Sequence, residues 1–139
     1  IQAREVDVDT VPIPELSLAL RQVGRASEAD RLFAIYRGNA SKLPRDGVGG
    51  AIRKISEANV AALSGRGDEA VRLIDGISRR NPLSLNVIPT MSLLRNPVLA
   101  TVKADPQLAV ADERLRAALN AERQKAGLPP IGRHVWVGG

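Results

Sequence analysis

Apolar residues recur along most of the chain at intervals of three and four, and glycine or proline repeatedly cuts the pattern. Ile13, Leu16, Leu20 and Val23 fall on one side of a helix, which Gly24 ends in the place of a left-handed cap. Ala29, Leu32, Phe33, Tyr36 and Ala40 make the next stripe. Ser27 is its predicted N-cap, Asp30 supplies an acidic variant of the capping box, and the cluster LPRDGVGG at 43–50 breaks it. A third helix places Ile52, Ile55, Ala58 or Asn59, and Ala62 or Leu63 together up to Gly65. Asp68 is the cap expected for a fourth, whose inner face is Ala70, Leu73, Ile74 and Ile77 and which RRNP at 79–82 closes.

The last third is less regular. Asn96-Pro97 and Asp105-Pro106 each put a polar cap before a proline at the first helical position, predicting a short helix to 104 and a long one to 127. In the long helix Leu108, Leu115, Ala118 or Leu119, and Glu122 share a stripe. Val6, Val8 and Val11 alternate, but Pro12 and Pro14 follow, so 1–12 reads as an extended linker. The expectation is an all-α domain of antiparallel helical hairpins over 13–127, with a long C-terminal capping helix and a tail at 128–139.

Part of the pattern occurs twice. Gly24, Arg25, Glu28, Ala29, Arg31 and Leu32 return 41 residues later as Gly65, Arg66, Glu69, Ala70, Arg72 and Leu73. A helix, a Gly-Arg turn, a small residue at the helix contact and a later proline (Pro82) resemble the tetratricopeptide repeat. Ala70, Ile74 and Ile77 fit its packing positions in the second copy; Ala29, Phe33 and Tyr36 fit in the first. That family's unit is about 34 residues, so the first copy here has a longer second helix or an insertion near 43–50. The early aromatic of the repeat is absent, with Ile13 and Lys54 near its place.

Residues 93–130, LLRNPVLATVKADPQLAVADERLRAALNAERQKAGLPP, resemble the ending of tetratricopeptide regions in bacterial multidomain regulators. There a short helix, an Asp-Pro step and an arginine-rich helix cap the array. The resemblance implies a non-catalytic module for a protein or peptide, forming the sensory or scaffolding part of a larger chain behind a winged-helix, cyclase or kinase domain. The partner would lie on the concave side made by the first helix of each hairpin, against Ser17, Arg21, Arg53, Glu57 and Asn59. Open array ends allow self-association. A bacterial cytoplasmic setting follows, with a periplasmic sensor as the alternative.

Composition narrows the chemistry. The 139 residues contain no cysteine and one histidine, so disulfides, thiol chemistry and a histidine-based metal cluster are excluded, and no cofactor is expected. The net charge of +5 raises nucleic acid as an alternative partner. The excess is thinly spread, however, with an acidic first dozen residues and one or two surplus positive charges in each later segment. Three aromatic residues, Phe33, Tyr36 and Trp136, give no stacking platform. Asp68/Glu69 and Asp112/Glu113 are sequence neighbours that point to different helix sides, so no acid/base pair converges and no enzyme is expected, unless as an accessory domain of one.

Three short motifs have plain readings. Arg66-Gly67-Asp68 matches an adhesion tripeptide but falls in a helical turn; Asn39-Ala40-Ser41 matches a glycosylation acceptor but falls at a helix end; GVGG at 47–50 lacks the strand and the Lys-Ser or Lys-Thr of a phosphate loop. Trp136 is expected to pack back on the last helix.

Overall fold

The computed structural model describes residues 13–85 and 92–137, and the reading of 1–12 as a linker lies outside them. The described residues contain helices and no strand: α1 (Ile13–Gln22), α2 (Ala26–Lys42), α3 (Gly47–Leu63), α4 (Gly67–Arg80), α5 (Pro106–Lys125) and the one-turn α6 (Arg133–Trp136). Three short 3-10 segments, Pro82–Leu85, Leu93–Arg95 and Pro97–Val102, lie between α4 and α5. The all-α expectation holds. The short helix foreseen at 96–104 is a 3-10 segment instead.

The repeat in the sequence is a repeat in geometry. Gly24 and Gly65 sit at φ 82° and 78°, where a side chain is strained and glycine is not. Each is the left-handed residue of a Schellman turn. Gly24 N–H donates to Arg21 O (3.2 Å) and Arg25 N–H to Leu20 O (2.8 Å); Gly65 N–H donates to Ala62 O (3.4 Å) and Arg66 N–H to Ala61 O (2.8 Å). The arginine is also the N-cap of the next helix, since its carbonyl accepts from Ala29 N–H or Ala70 N–H (3.1 Å each).

This overlap corrects the expected caps. With one residue closing a helix and opening the next, α2 starts at Ala26 and α4 at Gly67, so Ser27 and Asp68 lie inside the first turn and cap nothing. The polar partner comes from the N-cap side chain: Arg25 pairs with Glu28, and Arg66 with Glu69 at 3.2 Å. Both glutamates also sit at the positive end of their helix dipole. Asn96 and Asp105 do cap as read, accepting from Val98 N–H (3.0 Å) and Gln107 N–H (2.9 Å).

Small residues let each hairpin close. Ala29 and Ala70 are fully buried, and their repeat-equivalent partners across the hairpin, Ser17 and Ala58, are buried as well. The connection between the hairpins is also built on small residues. A Cβ on Gly50 would stand 2.4 Å from Arg45 O, so the GVGG segment is needed for the chain to fold tightly into α3. The longer first unit is explained by α2, at 17 residues against 14 in α4, and by this connection.

One core joins Ala58, Ala61 and Ala62 of α3, Ala70, Val71, Ile74 and Ile77 of α4, Leu108, Ala111 and Leu115 of α5, the 3-10 segments and Trp136. Among the described residues, none of α1 or α2 belongs to this cluster. Arg114 ties α5 to α4, its Nη1 donating to Asp75 Oδ1 (2.8 Å) and Ser78 Oγ (3.0 Å), while Arg79 Nε donates to Asp75 Oδ2 (2.9 Å). The arginines, Arg114 first, hold the Asp75 carboxyl below its ordinary range.

Candidate interaction surface

The first hairpin carries apolar side chains in places where the second has buried ones. Phe33 and Tyr36 of α2 are half-buried, whereas Ile74 and Ile77, their equivalents in α4, are buried in the core. Ile35 of α2 is exposed as well. The physical reason is the covering element: α5 and the 3-10 segments lie on α4.

The stripe on α1 is the plainest departure from the sequence reading. Helix α1 turns Pro14 and Ser17 inward, leaving Leu16 40% and Val23 71% exposed, with Leu20 half-buried between them. Spacings of four and three put these three on one flank of α1, continued by the residue that follows it, Val23, whose N–H still donates to Ala19 O. Ile52, also read as an inward residue, is 49% exposed at the start of α3. Apolar side chains at this exposure cost little singly; a stripe of them at helical spacing marks a contact surface.

The five residues expected to face a partner separate. Ser17 does not face outward: it is buried inside the hairpin, its Oγ donating to Ala29 O at 3.0 Å. A small residue is required there so that α1 and α2 can touch, and the hydroxyl finds its acceptor in the opposite backbone. Arg21 is exposed and paired with Asp30 of α2 at 2.6 Å. On α3, Arg53 and Glu57 pair at 3.1 Å, and Arg53 Nη1 also donates to Leu43 O at 2.9 Å. Asn59 Nδ2 donates to Tyr36 Oη across the α2/α3 contact at 3.3 Å. Thus Arg21 and Glu57 remain exposed, Arg53 is half-buried and tied to Glu57 and Leu43 O, and Asn59 is engaged between helices.

Sequence reading missed the role of Asp112. It is buried in α5, and its carboxylate collects three donors: Ser92 Oγ (2.8 Å) and Trp136 Nε1 (2.9 Å) on Oδ2, and Leu93 N–H (2.6 Å) on Oδ1. Its neighbour Glu113 points elsewhere and pairs with Arg116, which holds the glutamate below its usual range. The expectation that this pair diverges holds. An aspartate within a helix, three residues before an apolar position, gave no signal of burial, since its partners lie 19 to 24 residues away.

Trp136 packs back as expected and is buried in the core. Glu122, placed on the α5 stripe from sequence, is exposed and pairs with Lys125 at 2.9 Å. The arginines of α5 are likewise engaged within the chain: Arg114 with Asp75, Arg116 with Glu113, and Arg123 Nε with Pro129 O at 2.7 Å.

The Arg-Gly-Asp tripeptide is part of the α3/α4 turn. Arg66 is the N-cap, Gly67 and Asp68 open α4, and a Cβ on Gly67 would meet Val102 Cγ1 at 2.8 Å. The glycine is therefore a packing requirement. An open depression of about 520 Å³ beside it is bordered by Arg66, Asp68, Arg72, Thr101 and Asp105, a mixture of both charges. The glycosylation-like triplet lies within α2, where Ser41 Oγ donates to Gly38 O at 2.7 Å.

Among the described residues, no group of three or more Asp, Glu, His or Cys side chains comes together as a metal site, and no helix is long and apolar enough to cross a membrane. No family model, curated protein or solved structure matches the chain.

Proposed function

We propose that the domain is a non-catalytic module that binds a protein or peptide through its first hairpin and the start of α3. The observation that carries this is the apolar flank of Leu16, Leu20 and Val23, with exposed Ile35 and Ile52 on α2 and α3 and the Arg21–Asp30 and Arg53–Glu57 pairs on the same elements. Exposed apolar side chains accompanied by charged pairs are the usual composition of a recognition surface. The tetratricopeptide-like repeat and the bacterial-regulator-like ending fit a scaffolding or sensory segment of a larger bacterial regulatory protein.

The test is affinity capture with the wild-type chain and a Leu16→Glu, Val23→Glu double variant, after circular dichroism has shown both folded. Both positions are exposed, so the fold should survive. Loss of the same specific partners in the variant supports the reading; retention of every partner refutes it. Tight binding of generic duplex DNA that weakens steeply with salt would favour the nucleic-acid alternative instead.

A further inference from the structure

Residues 128–137 are held in a manner different from the rest of the chain. Helix α5 ends at Gly127, φ 72°, in another Schellman turn, and residues 124–130 are all exposed. Beyond it, among the described residues, the backbone bonds of the segment are those of its single helical turn, Trp136 N–H to Gly132 O and Val137 N–H to Arg133 O (3.0 Å each). Its attachment is made by side chains of α5 that read its backbone. Asn120 forms a two-way clasp with Ile131, Nδ2 donating to Ile131 O (3.1 Å) and Oδ1 accepting from Ile131 N–H (2.7 Å). Arg116 Nη1 donates to the same carbonyl at 3.0 Å, and Arg123 Nε to Pro129 O.

Only two side chains of the segment are anchors: Ile131, half-buried against the core, and Trp136, buried with its indole N–H on Asp112. Leu128, Val135 and Val137 stay exposed. Backbone reading by fixed side chains plus an aromatic anchor in a polar-based pocket is how folded domains recognise extended peptides. The seat is complete without the covalent link: Glu113 orients Arg116, and Ser92 and Leu93 N–H orient Asp112.

We infer that this face of α5 is a segment-recognition groove, and that the occupant it takes in trans is residues 129–137 of a second copy of the chain. The hinge through Gly127 and Leu128 crosses only exposed positions, so the segment can swing out as a unit; its departure withdraws Trp136 from the core, and the same segment of a second copy refills that place with the same contacts.

The experiment uses the full chain with a specific protease sequence inserted between Leu128 and Pro129, cut after folding. The probe is a dye-labelled synthetic peptide of residues 129–139. The expected result is that the cut segment stays bound on size exclusion and is displaced saturably by the peptide. Uptake of the peptide is read from the rise in its dye's fluorescence anisotropy. A Trp136→Ala peptide should fail to compete, and Asn120→Ala in the acceptor should weaken peptide binding roughly tenfold, as expected for losing two hydrogen bonds. A segment that never exchanges, a Trp136→Ala peptide that competes equally, or an emptied groove that takes up no peptide would each overturn the inference.

Discussion

Replacing Asp112 with alanine tests how the core and the C-terminal segment are joined. The side chain is buried and accepts from Ser92 Oγ, Leu93 N–H and Trp136 Nε1. Alanine removes all three acceptors at once. A buried donor left unpaired costs about 1–3 kcal/mol. The Ser92 hydroxyl can rotate, whereas the backbone and indole N–H groups are fixed in direction, so the sum is about 3–5 kcal/mol. Against a total of about 5–15 kcal/mol for a domain, that is a large fraction.

The assay is urea unfolding followed by Trp136 emission and by far-ultraviolet circular dichroism. With a slope near 2 kcal/mol per molar urea, the midpoint should fall by about 2 M. Asparagine keeps one acceptor oxygen but turns an N–H₂ toward a donor, so Asp112→Asn should fall between wild type and alanine. A midpoint shift below about 0.5 M for Asp112→Ala would refute the reasoning, since it would mean that water or another acceptor already serves those donors.

Other outcomes follow from the same geometry. Asp68→Ala should cost no more than about 0.5 kcal/mol in thermal unfolding, because Asp68 only faces the helix dipole and caps nothing; Gly65→Ala, which forces a side chain to φ 78°, should cost about 1–2 kcal/mol. Gly76→Ala should stabilise by about 0.5–1 kcal/mol, since it lies inside α4 and a Cβ there meets nothing within 4 Å. Ala70→Leu should destabilise by at least about 1–3 kcal/mol and more than Ala29→Leu, since Ala70 packs within the main core and Ala29 lies outside it. Asp75 has a folded pKa below its unfolded value of about 3.9, so its stabilising contribution is present above about pH 4 and lost as pH falls through the folded value. Stability measured from pH 5 to 2 should therefore fall less steeply in Asp75→Asn than in wild type.

The parts legible in the sequence are those set by local rules. Helix ends at Gly24, Gly65 and Gly127 follow from left-handed glycine, the caps at Asn96 and Asp105 from a polar residue before proline, and the inner face of α4 from spacing alone. The errors have a common cause in tertiary contact. Leu16, Val23 and Ile52 have helical spacing, but nothing in the described structure covers them fully. Ser17, polar and so expected outside, is inside because a close helix crossing needs a small residue there. The burial of Asp112 left no sign in the sequence because its three donors come from distant segments. The expected caps Ser27 and Asp68 failed because one arginine serves two helices, an economy that the residue pattern alone does not reveal.

The paired turns have a consequence for how such a chain can be lengthened or shortened. Gly24-Arg25 and Gly65-Arg66 share hydrogen-bond rings, backbone angles and the arginine–glutamate pair. A splice joining Gly24 directly to Arg66 would therefore recreate the same turn, with Ser17 of α1 facing Ala70 of α4 in place of Ala58. Residues 25–65 form a cassette in phase with these turns: removed or duplicated at the two junctions, they change the number of helices by two while each junction keeps the geometry of a Gly-Arg turn.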